Sequence, residues 1–263
     1  MNTEFQNTKY EIRNTKYASA FSLTEVLIAV GILAVGMLFI AGVFPVSIHF
    51  TTVSSERTIS AVVADEAFSK IQLYGIPPAV LSTMSGISQM PIESVSPIPF
   101  PEFAYPSIPT TDPNSRRYWW SAICRRVGPA DVQVTVFVCR KIGTSTKYYI
   151  RDPLVPPALI TTDRPVAVFM SVGPGSRPDE LQMNDLNPVP ADVINETAFI
   201  SDGYTIVDDT GQIYRVLEKY SANPNVIRLD KNWQGGSLVW VVPPPAGGGR
   251  YPCIAVYQKV MRF

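Results

Sequence analysis

One acidic residue, Glu25, lies at the start of the longest apolar stretch of the chain. The nineteen residues from Val26 to Phe44 carry no polar side chain. As a helix, residues 21–44 would span about 36 Å, more than the roughly 30 Å of a bilayer core. A carboxylate inside lipid costs about 2.5–3.5 kcal/mol, which makes Glu25 a candidate functional residue. It either reaches the membrane–water interface or pairs with a cation.

Other residues with catalytic or metal-binding chemistry are few. His49 is the only histidine and has no second histidine to share a metal with, so we predict no catalytic residue, no metal site and no cofactor. The glycine-rich segments 173–175 and 247–249 lack the Lys-Ser/Thr of a phosphate-binding loop. Calcium stays open as a ligand, because four carboxylates lie in a loop-rich stretch: Asp179, Glu180, Asp185 and Asp192.

Three cysteines allow at most one disulfide within the chain. Cys124 and Cys139 lie on the two strands of a predicted hairpin, and a turn near Pro129 would place Thr135 opposite Cys124. Cys139 then lies about 13 Å further along, too far to bridge. Cys253 is therefore the candidate partner of either Cys124 or Cys139, and buried free thiols are the alternative.

Basic residues predict the orientation of the apolar segment. Lys9, Arg13 and Lys16 precede it, and Arg57 is the next basic residue after it. Because positive residues stay on the cytoplasmic side, we expect a cytoplasmic N-terminus and residues 46–263 outside. A secretory signal is disfavoured, because its cleavage site follows its apolar region, whereas the small residues 18–20 precede it.

The segment from Ala20 to Ala29, AFSLTEVLIA, resembles the class III signal of type IV pilins and type II secretion pseudopilins. The shared features are a short polar leader with basic residues, a small residue, Phe21, three further residues, Glu25 and an unbroken apolar helix. The resemblance covers roughly the first 45 to 75 residues. One position departs from the family pattern, because Ala20 stands before the expected cleavage site, where glycine is usual.

The resemblance implies that residues 1–20 are a cytoplasmic leader. A membrane prepilin peptidase would cut the bond between Ala20 and Phe21 and N-methylate the new amine of Phe21. That amine stays positive, so it is the implied partner of Glu25 in the same or a neighbouring subunit, where it would offset the cost of burying the charge and fix the register of assembly. Further implied partners are other pilin or pseudopilin subunits, an assembly ATPase and an inner-membrane platform.

The helix is expected to continue beyond the membrane, over residues 21–75. Pro45 either kinks it or marks the membrane edge, and Gly75 with the following prolines ends it. Beyond Pro45 the apolar residues recur at spacings of three and four, which predicts packing on a sheet. This stripe comprises Ile59, Val62, Val63, Phe68, Ile71 and Tyr74.

Residues 76–263 predict a β-rich head outside the membrane. Two proline-rich stretches, 76–117 and 152–191, predict extended connections. The predicted strands are 118–127, 131–142, 147–151, 166–172, 197–200, 204–207, 212–220, 226–230, 237–242 and 254–262. The expected fold is α+β, a long helix packed on a mainly antiparallel sheet, with a second small β unit from about residue 192.

The charge balance argues against one class of function, the binding of nucleic acid. With 22 basic and 22 acidic side chains, a broad basic surface for nucleic acid is not expected. We predict a structural subunit, a minor pilin or pseudopilin, which waits in the inner membrane and enters a type IV pilus-like or type II secretion-like filament in the periplasm or at the cell surface. The alternative is a single-pass anchored extracytoplasmic enzyme or a carbohydrate- or ligand-binding domain.

Overall fold

A computed structural model describes residues 22–84, 89–107, 112, 116–143, 145–151, 159–185 and 194–263. The chain divides into two compact units, Met1–Val53 and Ser54–Phe263. One long N-terminal apolar helix precedes mainly antiparallel strands, so the α+β prediction is confirmed, and part of the β structure closes into a barrel.

The long helix α1 runs from Leu23 to Tyr74 and continues through Pro45. It ends at Gly75, whose φ of +68° suits a residue without a Cβ and whose N–H donates to the carbonyl oxygen of Ile71 at 3.0 Å. Two short helices follow, α2 (Pro78–Thr83) and α3 (Ile92–Val95). The proline-rich stretch after α1 is therefore partly helical.

Within the second unit, α1 buries one face against a sheet. Three apolar residues of the predicted stripe, Val63, Phe68 and Ile71, are buried, whereas Val62 is 49% exposed. The full buried set is Ser60, Val63, Ala64, Ala67, Phe68, Lys70 and Ile71. Small side chains thus form the middle of the contact, which lets the helix backbone approach the sheet closely.

The described residues form thirteen strands in chain order. They are β1 (Met90–Pro91), β2 (Ala104–Tyr105), β3 (Tyr118–Arg126), β4 (Asp131–Arg140), β5 (Tyr148–Arg151), β6 (Leu159–Thr162), β7 (Val168–Pro174), β8 (Glu180–Asn184), β9 (Thr205–Asp208), β10 (Ile213–Lys219), β11 (Val226–Leu229), β12 (Leu238–Val241) and β13 (Cys253–Arg262). The first sheet has the order β1-β3-β4-β13, with β2 also pairing with β3. This sheet and α1 enclose the first core.

Six strands, β7 to β12, form a closed barrel with the order β10-β11-β8-β7-β12-β9. Its core includes Met170, Leu181 and Tyr214, and β5 and β6 form a separate two-stranded sheet. The barrel contains two strands that precede residue 192, and β13 returns to the first sheet beside β4. In sequence, the barrel is therefore an insertion between two neighbouring strands of that sheet.

Some local features differ from the sequence expectations. A strand was expected over residues 197–200, but Glu196–Phe199 form a turn of 3-10 helix, in which the Asn195 side chain accepts from the N–H of Thr197 at 3.0 Å. In the hairpin of β3 and β4, Val134 rather than Thr135 lies opposite Cys124. The prediction was one residue out.

Candidate functional site

The candidate functional site is the first turn of α1, around Glu25. The backbone N–H of Ser22 donates to Glu25 Oε2 at 3.3 Å, and Ser22 Oγ accepts from the N–H of Thr24 at 3.4 Å. The bond to Glu25 is the one that the acidic residue of a Ser-x-x-Glu capping box makes, whereas the Ser22 hydroxyl accepts from Thr24 instead of from the N–H of Glu25. A carboxylate here also interacts favourably with the helix dipole. The sequence analysis missed this capping role, although the motif is present in residues 22–25.

Of the predicted site residues at this end, Glu25 lies within the described structure, and Ala20 and Phe21 lie outside it. Cleavage and methylation therefore stay predictions. A carboxylate accepts several hydrogen bonds, so the cap leaves Glu25 able to accept from a second donor. In a chain that begins at Phe21, the α-amine would belong to the residue directly before Ser22, whose N–H already donates to Glu25.

The helix surface beyond Glu25 is apolar and uncovered within the described structure. Every residue from 22 to 50 is exposed, and Leu38 is 73% exposed. α1 is long and apolar enough to cross a membrane by length and composition. Apolar surface of this extent is unfavourable in water and is typical of segments that other apolar surfaces cover. His49 lies on this exposed segment beside Phe50, with ring centroids 6.1 Å apart.

The second unit contains a cavity of about 430 Å³ between the first sheet and the barrel. Its walls include Glu93, Arg151, Phe169 and Trp240. Glu93 Oε1 accepts from Arg164 at 2.5 Å, and its buried Oε2 has no hydrogen-bond partner among the described residues. The cavity thus combines apolar walls, such as Phe169 and Trp240, with the two charged residues Glu93 and Arg151, a mixture typical of small-molecule sites.

Arg151 is held in place beside this cavity. It forms two hydrogen bonds with Glu196, at 2.5 and 2.7 Å, and a third with the carbonyl oxygen of Phe169 at 2.7 Å. Glu196 is fully buried. A bidentate, desolvated pair of this kind fixes the guanidinium, so Arg151 shapes the wall.

Metal ligands do not assemble in the described part of the chain. Nowhere in it do three or more His, Cys, Asp or Glu side chains lie together as a metal site would need. Among the loop carboxylates, Glu180 accepts from the hydroxyl of Tyr220 at 2.9 Å, and Asp192 lies outside the described residues.

The three cysteines are buried and free. Cys124 belongs to the core between α1 and the first sheet. Cys139 and Cys253 lie opposite each other on β4 and β13, in the core that faces the barrel. The structure thus brings together one of the two cysteine pairs that the sequence left open.

Comparisons with protein-family models, with curated proteins and with solved structures returned no match to this chain.

Proposed function

We propose that this chain is a structural subunit, a minor pilin or pseudopilin, of a type IV pilus-like or type II secretion-like filament. The observation that carries the proposal is the first half of α1, an exposed apolar helix with a single carboxylate in its first turn. The same helix continues into the buried face of the β-rich unit. A subunit of this design carries its polymerising segment and its head on one helix.

The apolar segment has two suitable surroundings in this proposal. In the inner membrane it contacts lipid, with the N-terminus in the cytoplasm and the head outside. In the filament it contacts the same segment of neighbouring subunits. Since lipid and neighbouring helices are equally apolar, packing and polar contacts have to favour assembly. Gly31, Gly36 and Gly42 have open space where a Cβ would lie, so other helices can approach closely.

The polar contact that we assign to assembly joins Glu25 to the N-methylated amine of Phe21. Removed from water, a lone carboxylate is costly, and a cation within hydrogen-bonding distance offsets that cost. In support of this pair, the Glu25 carboxylate accepts from the N–H of Ser22, the residue that follows Phe21 in the sequence. A pair that satisfies both charges at only one axial offset would define the subunit register.

Mass spectrometry of the mature N-terminus tests the proposal. The full chain is produced in membranes with and without an active prepilin peptidase. We expect an N-methyl-Phe21 terminus with the peptidase and Met1 without it.

Ala20 provides the matched variants for this test. Ala20→Gly should be cut at least as well as the parent, whereas Ala20→Leu should stay uncut, because the position before the cleaved bond takes a small residue. A mature chain that begins anywhere other than Phe21 overturns the proposal.

The second candidate is an anchored ligand-binding head. The cavity beside Glu93 favours it, since its apolar walls together with the charged Glu93 and Arg151 resemble the lining of small-molecule sites. An uncut Met1 terminus in the presence of the peptidase, together with a small molecule that co-purifies with the parent and not with Glu93→Gln, would support this candidate over the filament subunit.

A further inference from the structure

The barrel insertion begins and ends at a pair of cysteines. Cys139 is the second-last residue of β4, and Cys253 is the first residue of β13. Between them the chain forms β5 to β12 and then returns to the same sheet. The two thiols therefore lie where the inserted segment leaves the sheet and rejoins it.

The strand register places these cysteines directly opposite each other. Cys139 pairs with Cys253, and the neighbouring N–H of Arg140 donates to the carbonyl oxygen of Pro252 at 2.8 Å. This bond makes Arg140 and Pro252 a hydrogen-bonded pair, so the adjacent cysteines occupy a non-hydrogen-bonded pair, next to an irregularity of the register between Cys253 and Ala255. Such pairs have Cα atoms about 4.5 Å apart and side chains on one face, which lies inside the range for a disulfide.

The third cysteine is excluded as a partner by the face on which it lies. Cys124 is opposite Val134, and both belong to the core against α1. Its Sγ donates to the carbonyl oxygen of Met90 at 3.6 Å. Cys139 and Cys253 lie in the core on the other face, towards the barrel. A disulfide to Cys124 would have to cross the sheet.

We propose that Cys139 and Cys253 form a disulfide that closes the inserted barrel segment, with Cys124 left as a free thiol. The oxidant is another disulfide. The two cysteine thiols give up two protons and two electrons and form the new S–S bond, and the disulfide of the oxidant takes them up and becomes two thiols. The pairing follows from the fold alone, and only the oxidising compartment rests on the proposed function, which places the head outside the cytoplasm.

Burial determines when this bond can form. Burial raises the pKa of the Cys139 thiol well above its ordinary value, and the residue has no exposed surface. Because the thiolate is the reacting species, the folded dithiol reacts slowly. Oxidation therefore accompanies folding, while β4 and β13 come together, and the finished bond is protected from exchange.

The bond would restrict the unfolded chain strongly, because it closes a loop of about 110 residues. We expect Cys139→Ser and Cys253→Ser each to lower the Tm of the oxidised protein by about 10 °C, and the double variant to lower it no further. Cys124→Ser is the matched control, since it removes a buried thiol without touching the pair, and its Tm should fall by much less.

The deciding experiment uses the full chain in detergent, refolded from denaturant in a glutathione redox buffer. Free thiols are alkylated under denaturing conditions and the digest is analysed by mass spectrometry. We expect a linked peptide pair containing Cys139 and Cys253 and an alkylated Cys124. Three alkylated cysteines, or a link that includes Cys124, overturn the proposal. The N-terminal peptide of protein purified from peptidase-containing membranes reports the filament proposal separately, so the two can fail independently.

Discussion

At the residue scale, Glu25 caps the first turn of α1, and the proposed ion pair uses the same carboxylate. Two substitutions compare loss of the Glu25 charge with loss of the other side-chain hydrogen bond in this turn. Glu25→Gln keeps an oxygen that accepts from Ser22 and removes the charge, so we expect incorporation into filaments to fall at least tenfold. Ser22→Ala removes the hydroxyl that accepts from Thr24 and keeps the charge, so incorporation should change less than twofold.

Immunoblots of sheared filaments and of membranes measure this ratio. Equal losses in both variants would mean that assembly depends on the local structure of the helix start rather than on the charge of Glu25, and no loss in either would remove Glu25 from assembly.

The buried pair of Arg151 and Glu196 gives a second prediction at this scale. Glu196→Gln removes the charge of Glu196 from this buried pair, and we expect the free energy of unfolding to fall by about 3–5 kcal/mol. Lys147 and Asp163 form a comparable pair whose side chains are 52% and 42% exposed. Asp163→Asn should therefore cost less than about 1 kcal/mol. Urea unfolding measures both, and similar losses would contradict the assigned importance of burial.

Lys141 gives a pH-dependent prediction. Its Nζ is buried without a hydrogen-bond partner in the described part of the chain and lies 6.0 Å from the centre of the Trp119 ring. Burial lowers the pKa of Lys141, which Asp163 and Asp112 raise and Lys147 lowers further. The native state therefore disfavours the charged form, and stability rises as pH increases towards 10.5, the ordinary pKa.

We expect Lys141→Met to stabilise the protein at pH 7 by about 1–3 kcal/mol. This advantage should shrink as pH rises through the lowered native pKa of Lys141. Lys147→Met, at an exposed position, is the control and should change stability by less than about 1 kcal/mol. Thermal melts at pH 6 to 10 give the comparison, and a difference that does not vary with pH would contradict the titration.

At the element scale, α1 depends on small residues where it meets the sheet. Ala67 has no exposed surface, and its replacement by leucine would force the helix away from the sheet. We expect Ala67→Leu to lower the free energy of unfolding by about 1–3 kcal/mol. Ala61→Leu adds the same atoms on the exposed face and should have an effect within about 0.5 kcal/mol. Equal effects in circular-dichroism melts would mean that the contact tolerates expansion.

Elements with a strong local pattern were predictable. β4 was expected over 131–142 and runs over Asp131–Arg140, because alternating valines suit a strand with one regular buried face. β8 was missed, because its buried Leu181 and Met183 give only a short alternation without β-branched residues. Residues 197–200 were expected as a strand, and the prediction was wrong because the Asn195 cap outweighs their apolar character.

The candidate site, too, could be predicted only in part from the sequence. Glu25 stands out in an apolar run, so its identity needs no structure, whereas its cap depends on the local conformation of Ser22. The partner of Cys253 was not predictable, because a shift of one residue in register moves a side chain to the other face of a sheet. Barrel closure was missed for a related reason, since the pairing of β9 with β12 joins segments distant in sequence.

At the scale of the whole molecule, the two units differ in whether their apolar side chains are exposed or buried. The described part of the first unit exposes apolar helix throughout residues 22–50, whereas the cores of the second unit draw on residues from Ile59 onwards. The second unit also holds its helix by polar contacts, such as the hydrogen bond between Ser60 Oγ and the hydroxyl of Tyr257 at 2.9 Å. Its stability should therefore not depend on the apolar segment.

We accordingly expect residues 54–263, produced without the preceding segment, to be soluble and folded with a Tm within about 5 °C of the full chain in detergent. Removing residues 1–66 instead deletes one turn and more of the buried helix face, including Ser60, Val63 and Ala64, and should lower the Tm far more. Size-exclusion chromatography and thermal melts test both fragments. Aggregation of the fragment 54–263 would mean that the apolar segment stabilises the head. This would contradict the proposal, because a subunit that moves from the membrane into a filament needs a head that stays folded while the surroundings of its apolar segment change.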